Sequence, residues 1–502
     1  MNRTVITFFC LIFVCFTYAQ QPPKREFRGT WIHTVWNQDY RNMTTPEMQQ
    51  HFCNLLDTFA IAGINVVVFQ VRPQADAFYL SEIEPWSRFI TGIQGQAPEP
   101  VWDPLEFLIE ECHQRGMELH AWFNPYRVKV TDTEELCHDH LYYAKPYLFL
   151  PYGRQIFFDP GHPESREHTL RVIADVVTRY DIDAVHFDDY FYPYKLQYEE
   201  FPDEESFMNY HKIDGFGRFE KNNWRRNNVN ILIRDLNITI KEIKPWVKFG
   251  VSPFGVWRNK ATDPTGSETR ALSNYDELYA DIKLWVENGW IDYNVPQLYW
   301  TIGNPAADYE ILIKWWSENN FGQQLYIGQD IGRTVNIKKD DGTVENQLYR
   351  KMQMVRENPN VHGNIWWSGY NLSRNPGGII DSLSIDYQRY PSLLPLYKHI
   401  DSIPPAPVKN LKAKKLKDGS VGLSWTVQPA KDEMDKAAYF CVYRFEANEK
   451  IDLEDATKIL KIARNNYYIA PAPEGKQRYK YVVTAIDRLH NESAPGKELL
   501  VK

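Results

Sequence analysis

The chain has 502 residues, too many for one compact core, so a large domain and at least one smaller one are expected. Aromatic residues make up 15% of it, including 16 Trp and 31 Tyr, which fits either large cores or surfaces that stack on flat ligands and sugar rings. A formal net charge of −8 with no long block of like charge excludes the electrostatic footprint of a nucleic-acid binder.

Arg3 precedes an apolar run from Val5 to Phe16, closed by Thr17-Tyr18-Ala19. This is the layout of a secretory signal at residues 1–19, and an exported chain is expected. The run is too short for a membrane span, and no later stretch holds the ~20 apolar residues that a spanning helix needs. The cysteines beyond it, Cys53, Cys112, Cys137 and Cys441, are widely spaced, and buried thiols are expected rather than disulfides because a large core needs no staples. The run CHDH, Cys137 to His140, matches no standard zinc spacing, and neither a metal nor another cofactor is expected.

From residue 26 to 400, apolar and often β-branched runs alternate with longer amphipathic stretches. The predicted strands are Arg28–Trp36, Ile64–Arg72, Met117–Pro125, Asp183–Asp189, Lys248–Gly255, Tyr293–Trp300, Gln324–Asp330 and Gly363–Gly369. Between them lie helix-like segments such as Pro46–Gly63, Asp103–Gly116 and Ser165–Tyr180, with apolar residues at three- and four-residue steps. Asp103-Pro104 reads as a helix start, and Gly63 and Gly116 sit where a helix should stop. Eight such alternations predict an α/β fold, a (β/α)8 TIM barrel. Residues 401–410 form a proline-rich linker. Residues 411–502 carry short alternating strands, among them Val421–Thr426, Tyr439–Phe445 and Lys480–Asp487, which predict a small all-β sandwich.

In such a barrel the site lies at the carboxyl ends of the strands, and here those ends are polar and aromatic. They carry His33 and Trp36; Gln70 and Arg72; Asn124, Tyr126 and Arg127; His186, Asp188 and Asp189; Ser252 and Trp257; Gln297, Tyr299 and Trp300; Gln329 and Asp330; Trp366, Trp367 and Ser368. In DAVHFDD, strand alternation puts Val185 and Phe187 on the helix-covered face and leaves His186 and Asp188 pointing into the barrel. Asp189 has the wrong parity for a continuing strand; it reaches the cleft only if the chain bends there, and otherwise serves as a cap or ion-pair partner.

A carboxylate under aromatic walls suits glycosidic bond cleavage, which needs one anion near an oxocarbenium-like centre and a second group to protonate the leaving oxygen. Tyr126, Tyr192, Trp257, Tyr299, Trp300 and Trp366 are candidate platforms for sugar rings, and Arg72, Asn124, Arg127 and Gln297 candidate partners for hydroxyls. His33, Trp36, His186 and Trp367 complete the expected binding set.

The motifs FRGTWIHTVWN, VVFQVRPQADAFY, HAWFNPYRV, DPGHPESREHTLRVIADVV, VHFDDYFYP, GVSPFGVWRN, VPQLYW and GNIWWSGYNL occur in order, and in this the chain resembles the glycosyl hydrolase-like 10 family. That family comprises secreted bacterial barrels distantly similar to the alpha-amylase superfamily. The tail resembles a fibronectin type III module. The resemblance implies a glycan substrate, bacterial cell-wall strands stripped of peptide above all, a location in the periplasm or at the cell surface, and leaves open a cell-envelope partner for the tail. The amylase-like pattern implies that Asp188, in His186-Phe187-Asp188, is the nucleophile, and matches Asn124 and Asp330 to the ends of the third and seventh strands. The glutamate that this pattern places on the fifth strand is absent from GVSPFGVW, so Asp189, Asp330, Asp159 and Asp76 all stand as candidate acids, and retention and inversion stay open. Two other readings are a non-catalytic carbohydrate-binding barrel and a metal-assisted hydrolase built on His33, His120 and Asp76.

Overall fold

The computed structural model describes residues 21–37, 39–473, 475 and 477–501, so the predicted signal at residues 1–19 lies outside the described residues. Its centre is a parallel barrel of strands β1 (Phe27–Ile32), β2 (Val66–Arg72), β3 (Glu118–Phe123), β4 (Ala184–Phe187), β5 (Lys248–Val251), β6 (Tyr293–Asn294), β7 (Gln324–Leu325 continuing as Ile327–Asp330) and β8 (Gly363–Trp367). The first piece of β7 pairs with β6 and the second with β8, so the seventh strand closes the ring across Tyr326.

The helices that alternate with these strands are α1 (Thr45–Ile61), α2 (Pro104–Arg115), α3 (Pro163–Arg179), α4 (Lys221–Ile243), α5 (Ile282–Glu287), α6 (Tyr309–Glu318), α7 (Leu348–Glu357) and α8 (Gly369–Ser373). Local chemistry sets their ends. Thr44 and Glu47 form a capping box at the start of α1. Asp103 accepts the Leu105 and Glu106 amides ahead of α2, and Gly116 closes that helix in the left-handed conformation at φ 78°.

Strand parity divides the core into two layers. Val67, Phe69, Val71, Val185, Phe187, Phe249 and Val251 pack under the helices, while Phe27, Trp31, Val66, Val68, Trp122, Tyr293 and Tyr326 fill the barrel interior. A β-carbon at Gly250 would lie 2.0 Å from the Tyr293 ring, so β5 can pass that ring only as glycine.

Several strands stop sooner than the sequence predicts. β4 ends at Phe187 because the Asp188 side chain takes over as acceptor for the Tyr190 amide, at 3.3 Å, and turns the chain. β6 ends at Asn294 because Pro296 has no amide to give to a ladder; beyond it only isolated bridges at Gln297 continue the pairing. Sequence periodicity also misses an antiparallel insertion between β3 and α3, formed by Arg127–Lys129, Phe149–Tyr152 and Gln155–Phe158. Its hairpin turns through Gly153 at φ 56°.

After residue 400 the described residues form seven strands in two antiparallel sheets. Lys409–Lys415, Val421–Thr426 and Tyr467–Ala470 make one, and Ile459–Ala463, Tyr439–Glu446, Tyr479–Ile486 and Leu499–Val501 the other. Leu423, Trp425, Phe440, Val442, Tyr481 and Val483 pack in one cluster drawn from both sheets. The other face of the larger sheet meets the amino end of the barrel, where Tyr439 packs edge-on to His113 and Arg488 pairs with Asp181 at 2.6 Å. Leu489 joins the interior cluster of the barrel itself. Cys53, Cys112, Cys137 and Cys441 are all free thiols. No helix of the described residues is long and apolar enough to cross a membrane.

Candidate active site

The carboxyl end of the barrel opens into a cavity of about 370 Å3, within the range of small-ligand sites. Its carboxylates are Asp188 and Asp189. Its walls are Trp31, Trp36, Trp122, Tyr190, Tyr194, Tyr299 and Trp367, and its other polar groups include His33, Gln70, Arg127, Ser252 and Gln297.

Asp188 projects from the end of β4 with the inward parity of His186. Its oxygens accept from Trp122 Nε1 at 3.1 Å, Asn124 Nδ2 at 3.3 and 3.4 Å, and the Tyr190 amide at 3.3 Å. Burial raises its pKa, opposed by the Arg127 charge and by these donors. Asp189 reaches the same cavity because the chain bends after Phe187. It accepts from Gln297 Nε2 at 3.2 Å and from the Tyr194 hydroxyl. Burial, and then the charge of Asp188, push its carboxyl up to about 6. Of the two, Asp188 has more donors directed at its ionised form, so the first charge resides there and the proton is retained on Asp189.

The remaining groups are held just as firmly. Arg127 lies over the Tyr190 ring at 5.0 Å and donates from Nε to Pro73 O at 3.0 Å. Gln70 Oε1 accepts the Thr34 and Val35 amides at 3.0 and 2.9 Å. His33 packs against Trp367 with ring centres 5.1 Å apart, and burial lowers its pKa to about 4, so it is a neutral imidazole at neutral pH. Trp36 stands at the rim, 55% exposed and in the left-handed backbone region at φ 63°, a costly conformation for a bulky residue.

Of the predicted site residues, the fold thus brings His33, Trp36, Gln70, Arg127, Asp188, Asp189, Ser252, Gln297, Tyr299 and Trp367 around one cavity. The others are placed elsewhere. Arg72 is buried in a two-bond pair with Glu84, at 2.5 and 2.7 Å, and is spent on structure. Asn124 touches Asp188 from behind, with its oxygen taken by the Arg127 amide at 2.8 Å. Tyr126 and Tyr192 are buried outside the cavity lining, Tyr192 against Tyr279 and beneath Arg225. Trp257 stacks on Trp315, and Trp300 packs on Phe254. Trp366 has the outward parity and lies under the helices. His186 sits one layer below the cavity floor.

Asp330 accepts the Arg333 amide at 2.7 Å and caps the turn after β7, away from the cavity lining. Asp159 is held by Ser206 and the Gly161 amide, and Asp76 by Gln94 at 3.1 Å, so neither faces the carboxylate pair. His120 bonds Glu118 at 2.8 Å deep in the barrel, apart from His33 and Asp76. No group of three or more metal-binding side chains occurs among the described residues.

Trp31, Trp122, Tyr190 and Tyr194 line the cavity without having been singled out from the sequence. Parity identifies the first two: Trp31 precedes His33 by two in β1, and Trp122 precedes Asn124 by two at the end of β3. Tyr190 and Tyr194 sit in the loop after β4, where no period applies.

Residues 26–343 match the family model described as glycosyl hydrolase-like 10. The chain belongs to this family. Among its relatives, the glycosyl hydrolase YngK of Bacillus subtilis is 42% identical over 95% of this chain and 94% of its own. The glycosyl hydrolase DigH of Escherichia coli is 38% identical over 69% of this chain and 83% of its own. Among solved structures, the PgaB (BpsB) glycoside hydrolase domain from Bordetella bronchiseptica is 11% identical, with a TM-score of 0.46 over 72% of this chain and 99% of that one. For a glycosyl hydrolase-like 10 barrel, the paired carboxylates and aromatic walls support glycan hydrolysis as the chemistry of the cavity.

Proposed function

We propose that the protein is an exported glycoside hydrolase that cleaves bacterial cell-wall glycan, peptidoglycan strands stripped of their peptides. The observation that carries this reading is the pairing of Asp188 and Asp189 in one aromatic-walled cavity with unequal environments. Asp188, the better-compensated anion, faces the sugar carbon where positive charge develops. Asp189, with a pKa of about 6, keeps a proton into the range where it can be given to the leaving oxygen. Trp367, Tyr299 and Trp36 are the platforms for sugar rings, and Arg127, His33 and Gln297 the partners for hydroxyls.

Export is supported by the apolar run Val5 to Phe16 behind Arg3, and the cell-wall substrate by the family resemblance. The C-terminal sandwich is a fibronectin type III-like module, a reading supported by its seven strands in sheets of three and four. One observation favours a non-catalytic, glycan-binding barrel instead: the cavity offers no carboxylate from β5, only two that are adjacent in the chain.

Incubation of purified chain with peptide-free glycan strands, with analysis of new reducing ends, decides between the two. Asp188→Asn is expected to retain the fold and lose at least about a hundredfold in turnover. Turnover close to that of the wild type in this variant removes Asp188 from the reaction, and binding without any cleavage by the wild type favours the second reading.

A further inference from the structure

Beneath the cavity the barrel interior carries an unbroken file of polar side chains. Ser252 Oγ lies 2.9 Å from His186 Nε2, and His186 Nδ1 lies 2.9 Å from the Tyr293 hydroxyl. That hydroxyl lies 2.9 Å from His120 Nδ1, and His120 Nε2 lies 2.8 Å from Glu118 Oε2. All five residues are buried. At the floor, Glu118 Oε1 accepts from Lys248 Nζ at 2.6 Å and from His490 Nε2, in the C-terminal unit, at 3.0 Å.

The two ends of the file determine where its protons are. Trp31 Nε1 can only donate, and it lies 3.3 Å from His186 Nε2, so that nitrogen bears no proton. A neutral His186 then carries its proton on Nδ1 and donates it to Tyr293. At the other end the Glu118 carboxylate can only accept, so His120 Nε2 holds a proton and His120 Nδ1 accepts from Tyr293. Both deductions meet at Tyr293, whose hydroxyl accepts from one imidazole and donates to the other. Burial lowers the pKa of both imidazoles, as neutral rings require. Burial opposes the Glu118 charge, but Lys248 and the imidazole donors outweigh it and hold this carboxyl well below its usual range.

The consequence reaches the cavity. Ser252 has one proton and two protein acceptors within reach: His186 Nε2 at 2.9 Å, whose lone pair it shares with Trp31 Nε1, and Phe187 O at 3.3 Å. Ser252 lines the cavity, and its oxygen therefore has lone pairs alone to offer a ligand there. The opposite polarity stands nearby: Gln70 and Arg127 line the same cavity, and each holds a buried donor without a partner, Nε2 and Nη2; the two amides on Gln70 Oε1 settle which way that side chain points.

We infer that Ser252 is a specificity-determining contact, an obligate acceptor for a hydroxyl or amide N–H of the bound sugar, and that His186, Tyr293, His120 and Glu118 are positioning residues that hold it in that role. This rests on the glycan reading of the cavity. Donation by Ser252 to His186 leaves a ligand acceptor at that point unmatched, so the wall discriminates between an epimer that presents O–H there and one that does not.

Nuclear magnetic resonance of the full chain carrying isotope-labelled histidine tests the file without any substrate. His186 is expected as the Nδ1–H tautomer and His120 as the Nε2–H tautomer; a proton on His186 Nε2 overturns the inference. Kinetics on peptide-free glycan strands test the contact. Ser252→Ala is expected to lower kcat/KM by about ten- to a hundredfold, Tyr293→Phe by less, and the double variant by no more than Ser252→Ala alone. Additive losses, or a Ser252→Ala variant within about twofold of the wild type, overturn it. If the wild type binds these strands without cleaving them, the hydrolase reading fails by itself, and unchanged affinity in Ser252→Ala then overturns the inference; a wild type that neither binds nor cleaves overturns both.

Discussion

Asp189→Asn sets stability against chemistry at one position. The Asp189 carboxyl, ordinarily at 3.8, ionises at about 6 in the fold, because burial and then the Asp188 charge oppose it. Each unit of pKa corresponds to ~1.4 kcal/mol, so an ionised Asp189 costs the folded chain about 3 kcal/mol. The folded pKa is the higher one, so the protonated group's contribution is complete below 3.8 and is lost as pH rises through about 6. Asparagine retains the shape and both contacts: its oxygen accepts from Gln297, and its amide donates to the Tyr194 hydroxyl, which can rotate to accept. The variant is therefore expected to be more stable than the wild type by up to about 3 kcal/mol above pH ~7, with no advantage below pH ~4. Its hydrolysis is expected to fall by about a hundred- to ten-thousandfold, the range for a lost general acid. Urea unfolding at the two pH values, followed by tryptophan fluorescence, reads the first effect. A midpoint shift equal at both pH values, or a variant less stable at neutral pH, refutes the reasoning.

Arg72→Ala is expected to act on stability rather than on glycan affinity, because it strands the buried Glu84 carboxylate with His168 alone; a cost of about 3–5 kcal/mol should appear as a lower unfolding temperature. Trp36→Gly is expected to do the reverse. It removes an exposed ring from the cavity rim and relieves a positive φ, so affinity for glycan strands, read by calorimetry, should fall about tenfold with no loss of thermal stability.

The barrel was legible in the sequence because each strand is a short apolar run and each early helix carries its own start and stop, as Asp103-Pro104 and Gly116 show. Parity placed Asp188 in the cavity because Val185 and Phe187 had to face the helices. The same rule separates Trp367 from Trp366, but two adjacent indoles of equal bulk leave the choice of face to the neighbouring Ile365, an interior residue. Arg72 was misleading for a different reason. It has inward parity at a strand end, yet its partner Glu84 comes from the irregular segment after β2, where no period predicts contact. Asp189 was undecidable from alternation because its position depends on where β4 stops, and a side-chain hydrogen bond at Asp188 decides that. The file from Ser252 to Glu118 joins four strands and was invisible one strand at a time.

The floor of the barrel is completed by His490, which is 372 residues beyond its partner Glu118. Synthesis runs from the amino end, so the cylinder emerges with its base unsealed, and Glu118 and Lys248 wait for a histidine made long after them. A polypeptide cut or released before that point carries every catalytic candidate in its sequence and still lacks its stopper.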